Sequence, residues 1–208
     1  MPSKLNMPTV IGIAALAMLA GAITQRLIGA GDATAPPDTA AATVIPQPVA
    51  LPAFELDGVD RSFDNAALQD RWSLVFFGFT NCPDICPTTL ATLAGAAEKI
   101  RRSVPAFDVV FVSVDPRRDQ PTDAQRYASY FDKAFIGVTG SDQALAALAK
   151  PLGILYFQVP QGDDAYTVDH SSSLLLVNPR GELAAVFSAP HDADAIANDI
   201  IKIAAIDD

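Results

Sequence analysis

Two nearly unbroken apolar runs stand in the middle of the chain, residues 72–79 (WSLVFFGF) and 108–114 (DVVFVSV). Runs of this length without polar alternation suit strands buried on both faces of a sheet. Between them, Leu90, Leu93, Ala94, Ala97 and Ile100 recur at helical spacing, and Pro105 helps to end that helix. Pro121 and Thr122 open a second predicted helix, with Tyr127, Tyr130 and Phe131 on its apolar side. Ser141 caps a third helix running to about Leu152, and residues 154–159 read as extended. Residues 174–177 and 183–187, joined through Pro179-Arg180-Gly181-Glu182, give a β-hairpin signal. Asp192 or Asp194 caps a final helix through Ile203. The alternation predicts an α/β domain. Its order of strand, helix, strand, helix, hairpin and helix predicts a thioredoxin-like fold, with a central mixed sheet flanked by helices.

A different pattern opens the chain. Residues 7–25 (MPTVIGIAALAMLAGAITQ) carry no charge. As a helix they span about 28 Å, close to the roughly 30 Å hydrocarbon core of a bilayer. Lys4 and the amino terminus precede them and favour a cytoplasmic start. Ala20-Gly21-Ala22 also fits a signal-peptidase pattern. Residues 1–28 are therefore expected to be a transmembrane anchor or signal segment, and either sends the rest out of the cytoplasm. Residues 29–48, rich in Ala, Thr, Pro and Gly, read as a flexible linker. Residues 49–208 form the predicted folded domain.

Charge narrows the partners. Fourteen Lys and Arg stand against twenty-four Asp and Glu, a net charge of −10. Residues 1–48 are neutral overall, so the predicted domain carries all of it. Nucleic acid is excluded as a partner, because phosphate binding needs a basic face.

The chain has only two cysteines, Cys82 and Cys86. Two are too few for a disulfide-dense scaffold or for a four-ligand structural zinc site. They follow the first buried strand directly, at the start of the helix. Residues four apart on a helix share a face and lie about 6 Å apart along its axis. That spacing permits a disulfide or lets both sulfurs reach one metal ion. A helix amino terminus favours thiolate, whereas the charge of Asp84 opposes it. Pro83 suits a first-turn position. Two thiolates suit cuprous copper, and an added imidazole suits the cupric ion. Of the two histidines, His170 precedes the hairpin strand, which in a thioredoxin-like fold lies beside the cysteine helix. His191 precedes the last helix and is expected to be exposed and remote.

Three separated stretches resemble the Sco/SenC family of thioredoxin-fold copper proteins. They are residues 77–90 (FGFTNCPDICPTTL), 113–121 (SVDPRRDQP) and 168–172 (VDHSS). The likeness extends over about residues 49–208, with Asn81 standing where an aromatic residue or histidine is expected. The resemblance implies copper ligation by Cys82, Cys86 and His170 in the Cu(I) and Cu(II) states. It implies a role in assembling the binuclear copper centre of cytochrome c oxidase subunit II. Other copper chaperones and thioredoxin-like reductants are further expected partners. The expected place is the periplasmic side of the cytoplasmic membrane, rather than the mitochondrial intermembrane space. Asp115, Asp119 and Asp169 stand near the expected ligands, as orienting groups or as ordinary loop acids.

The same residues allow a thiol–disulfide oxidoreductase, with Cys82 as attacking and Cys86 as resolving thiol, or a redox sensor. Thioredoxins have two residues between their cysteines and this chain has three. A peroxiredoxin-like peroxidase fits poorly, because Thr80 precedes Cys82 by two positions instead of three.

Overall fold

The computed structural model describes residues 37–162 and 165–207. The apolar segment at residues 7–25 lies outside them. No helix among the described residues is long and apolar enough to cross a membrane.

The two apolar runs form the centre of a six-stranded mixed sheet. Strands β1 (Ala42–Ala50), β4 (Trp72–Gly78), β5 (Phe107–Ser113), β6 (Ile136–Val138), β9 (Leu174–Val177) and β10 (Glu182–Phe187) lie in the order β1-β10-β9-β4-β5-β6. β4, β5 and β6 are parallel, and the other neighbours are antiparallel. Every residue of β4 is buried, as the run without alternation predicts for a strand covered on both sides. Its two faces part at alternate residues. Val75 and Phe77 join an apolar cluster with Phe54 and Phe63. These last two belong to the region of a small hairpin, β2 (Glu55–Asp57) and β3 (Ser62–Asp64). Phe76 and Gly78 face the other way, towards Phe111 and Cys86.

Helix α1 (Ile85–Ser103) buries Leu90, Leu93, Ala97 and Ile100 of the predicted apolar stripe together with Cys86, while Ala94 is half-buried at its margin. It packs against α4 (Ala193–Asp207). Helix α2 (Pro121–Phe131) covers β5 and β6. Its buried residues are Ala124 and Ala128, whereas Tyr130 is 81% exposed. The short backbone approach to β6 explains this. A Cβ on Gly137 would fall 2.2 Å from the Ala124 carbonyl oxygen, so only small residues fit that contact. Tyr127 and Phe131 pack at its side against the core, Tyr127 with its ring centroid 5.3 Å from that of Phe111, and Tyr130 alone of the three faces solvent. Ser141 caps α3 (Asp142–Ala149) by accepting from the Ala144 N–H at 3.2 Å. Asp192 accepts from the Ala195 N–H at 2.8 Å at the start of α4.

Residues 42–48 correct the linker expectation. They are not a tether but part of β1, the edge strand beside β10. Pro46 and Pro48 are accommodated there because they fall where the register with β10 breaks, between Val44 and Val49, so neither has to donate to the ladder. The strand's entry is held by the buried Asp199 of α4, whose carboxylate accepts from the Ala40, Ala41 and Ala42 N–H groups at 3.0, 2.7 and 2.9 Å.

A second hairpin, β7 (Tyr156–Gly162) and β8 (Ala165–His170), stands apart from the central sheet as a two-stranded ribbon. Its last residue is His170.

Candidate metal centre

Cys82 lies in the loop after β4, and Cys86 in the first turn of α1. Asp84 is the cap residue, so Pro83 falls outside the helix and Pro87 takes the early helical position. The Asp84 side chain makes no capping bond. The site therefore straddles the helix start, and the two cysteines do not share a regular helical face. The loop nevertheless turns Cys82 back, so that its Sγ accepts the Cys86 N–H at 3.3 Å. His170 Nε2 stands 3.3 Å from Cys86 Sγ. The two sulfurs and one histidine nitrogen all lie within 4.8 Å of one another. Both cysteines are free thiols, Cys82 half-buried and Cys86 buried.

His170 is oriented through its other nitrogen, Nδ1, which is 3.0 Å from the Ser171 carbonyl. Phe76 and Phe79 meet its ring edge-on, with centroids 6.0 and 5.9 Å away. The tautomer that donates from Nδ1 to the carbonyl leaves Nε2 free to bind a metal.

The two thiols differ sharply. The Cys86 thiol hydrogen-bonds Cys82 and, against the cost of burial, brings the Cys82 pKa down to about 4, with His170 and the Cys86 and Asp84 backbone assisting. The same bond, with burial, holds Cys86 protonated well above the ordinary thiol range. Burial pulls His170 down, but the bond and charge of Cys82 outweigh it and the net shift is upward. At neutral pH the two sulfurs of the apo site are thus a thiolate–thiol pair beside the His170 ring. Alkylation of Cys82 in the apo protein should accordingly proceed at a constant rate from about pH 6 upward and halve near pH 4. An ordinary thiol, with a pKa of about 8.5, gains tenfold per pH unit across that range. Mass-spectrometric rates at Cys82 that climb through pH 8 would contradict the assignment. The linked stability has a fixed sign. The Cys82 contribution is present above the ordinary thiol pKa and is lost as pH falls towards 4, while that of His170 is present below pH 6.5 and is lost as pH rises beyond it.

The neighbouring acids separate into two kinds. Asp115 and Asp119 are buried. Asp119 accepts from the Thr80 N–H at 2.8 Å, the Thr80 hydroxyl at 2.5 Å and the Ser113 hydroxyl at 2.6 Å. It thereby ties the cysteine loop to the end of β5. Asp115 accepts from the Tyr166 hydroxyl at 2.8 Å and pairs with Arg118. Asp169 and Asn81 are exposed. His191 departs from expectation. It is partly buried, with Nε2 2.7 Å from the Ser172 carbonyl, because the loop before α4 returns beside residues 171–173. Sequence reasoning missed Arg118 and Tyr166, which join the cysteine and histidine sides of the site. A hydrogen bond and ring stacking between residues 48 apart have no periodic signature.

Strand, cysteine-bearing helix start and a histidine at the end of the separate hairpin, just before β9, define a thioredoxin-like domain with a Cys–Cys–His group of possible metal donors. A family model described as SCO1/SenC matches residues 45–205, and the chain belongs to that family. Among similar proteins, one from Stutzerimonas stutzeri named for copper binding is 37% identical over 165 residues, 76% of this chain and 79% of that one. The mitochondrial SCO1 homolog 1 of Arabidopsis thaliana is 36% identical over 65% of this chain, a match that spans only 41% of its own length. The crystal structure of Arabidopsis thaliana ScoI with copper bound superposes with a TM-score of 0.70 at 33% identity, covering 74% of this chain and 96% of that one.

Proposed function

We propose that this chain takes up copper at Cys82, Cys86 and His170 and passes it to the binuclear copper centre of cytochrome c oxidase subunit II. The convergence of three donors within 4.8 Å, in a family whose members include a copper-bound structure, carries the reading. The donor set suits both oxidation states. Two soft sulfurs hold the cuprous ion at low coordination, and the imidazole adds a ligand the cupric ion favours. The domain works on the exported side of the cytoplasmic membrane, held by an anchor within residues 1–28. Its acidic surface favours a basic docking face and slows approach to acidic ones.

A second reading shares the site. The Cys82 thiolate beside a protonated Cys86 is the arrangement a dithiol reductant needs. Cys82 would attack a disulfide of the target, and Cys86 would resolve the mixed disulfide, leaving Cys82–Cys86 oxidised and two target thiols reduced.

The readings separate in one experiment. Copper-loaded protein is mixed with the reduced, metal-free copper-binding domain of subunit II. Copper appearing in the acceptor, with this chain's thiols still reduced, supports delivery. Copper retained on this chain at equilibrium, or transfer no faster than from free copper–glutathione, would overturn it. Fast reduction of an oxidised acceptor, with Cys82–Cys86 disulfide formed in equal amount, would favour the second reading.

A further inference from the structure

The β7–β8 hairpin carries His170, yet it belongs to its own two-stranded sheet. Its base is closed locally, by the Ser171 N–H to the Leu155 carbonyl at 2.8 Å and the Leu155 N–H to the Ser171 hydroxyl at 3.0 Å. Such a ribbon is marginal by itself. Val168 is buried in the core and Tyr156 packs against it, and a further contact on β8 helps to set where the ribbon points, and therefore where His170 sits relative to the cysteines.

One side chain reaches it from the loop after β5. Arg118 lies flat on the Tyr166 ring, its Cζ 3.9 Å from the centroid. Its Nη1 donates to the Tyr166 carbonyl at 3.0 Å, and its Nε donates to the buried Asp115. The Tyr166 hydroxyl donates to the other oxygen of the same carboxylate at 2.8 Å. Arg118 also stands 5.7 Å from the Phe79 centroid, and Phe79 is one of the two rings that hold the His170 imidazole. Tyr166 is four residues before His170 on the same strand. The arginine is thus gripped by β8 through backbone, ring and hydroxyl, and by the body of the domain through Asp115.

We infer that Arg118, with Tyr166 and Asp115, is a clasp that positions His170 over the cysteine pair and so sets the preference of the site between oxidation states. Arg118 and Tyr166 are positioning residues and touch no donor atom. This rests on the proposed copper ligation. Closing the clasp holds the imidazole at the thiolates, which matters most to the cupric ion. Opening it leaves both sulfurs in place on α1 and its preceding loop, so cuprous binding persists. The planar fork is essential: a lysine has the charge, but it can neither stack on the ring nor bond the carbonyl and the carboxylate together.

The test uses the full chain and two independent readouts. In the metal-free protein, hydrogen exchange is followed at the amides of residues 165–170. Arg118→Met and Arg118→Lys should speed their exchange at least about tenfold while the amides of β4 and β5 keep their protection. In competition titrations, both variants should lose at least about tenfold in cupric affinity and stay within about threefold in cuprous affinity, the lower end of effects seen when outer partners of metal ligands are removed. Tyr166→Phe keeps the stacked ring and loses only the bond to Asp115, so it should shift both readouts in the same direction by less. It also serves where an Arg118 variant folds poorly. Hairpin exchange unchanged from the parent overturns the clasp. So do equal losses for both oxidation states, an unchanged cupric affinity, or a lysine variant that behaves like the parent. If the parent itself binds no copper, the proposed function fails, and the exchange readout alone decides whether the clasp holds the hairpin.

Discussion

Replacing His170 with alanine should lower the affinity for cupric copper by at least about 100-fold and leave cuprous affinity within about threefold. Removing a mere hydrogen-bond partner of a metal ligand typically costs 10- to 100-fold, so loss of the ligand itself should reach or exceed that range. The asymmetry follows from the donor set. Cys82 and Cys86 come from one continuous segment, linked by the bond from the Cys86 N–H to Cys82 Sγ at 3.3 Å, and they do not need the hairpin to stay together. The cuprous ion favours sulfur and accepts two ligands, whereas the cupric ion needs harder donors besides. Cys86→Ser should behave differently and abolish binding in both states. It removes one of the two sulfur ligands, and the serine hydroxyl that takes its place still donates to Cys82 but is too hard a donor for the cuprous ion. Competition titration with a chelator for each oxidation state checks the contrast. Equal losses in His170→Ala for the two ions would mean that the histidine supports the site structurally and does not ligate.

The centre of the fold was readable because its signals are local. Residues 72–79 and 108–114 are apolar without alternation, and both became strands of the buried sheet. The stripe Leu90, Leu93, Ala97 and Ile100 became the buried face of α1. The elements that stayed hidden are held by distant partners. β1 has a composition that suits a linker, and it is a strand because β10 offers an edge and Asp199 collects its first N–H groups. Tyr130 reads as apolar by spacing, but the close approach of Gly137 to Ala124 assigns the contact to small residues.

The site divides in the same way. Cys82 and Cys86 were conspicuous by scarcity and spacing, and His170 followed once a fold order placed the hairpin strand beside them. The acids needed the third dimension. Asp115, Asp119 and Asp169 are indistinguishable on paper. Two are fully buried braces between segments, and the third faces solvent. Their sorting depends on which loop returns over which, and that is a property of the assembled chain. His191 makes the same point, since its partner, the Ser172 carbonyl, is brought to it only by the turn before α4.

Gly78→Ala should damage the protein at its centre, and it separates packing from ligation. A Cβ at Gly78 would fall 2.7 Å from Cys86 Sγ and 3.0 Å from Phe111 Cε2. Neither neighbour can retreat. Phe111 is fully buried in β5, and Cys86 is fully buried with its sulfur engaged to His170. Forcing an extra methyl into a packed core costs about 1–3 kcal/mol. At about 2–4 °C per kcal/mol for a domain of this size, the melting temperature should fall by about 2–12 °C. The displaced atom is itself a proposed ligand, so copper affinity should fall in both oxidation states, unlike the selective loss in His170→Ala. Gly95→Ala supplies the control, on the helix that carries Cys86. There a Cβ would meet only the Ala193 Cβ, at 3.8 Å, an ordinary contact, and replacing a helical glycine with alanine favours the helix by about 0.5–1 kcal/mol. Calorimetry of the two variants should therefore move in opposite directions. A Gly78→Ala protein that melts with the parent and binds both ions normally would show that the sulfur of Cys86 has room to move, and that the close approach of β4 does not fix its position.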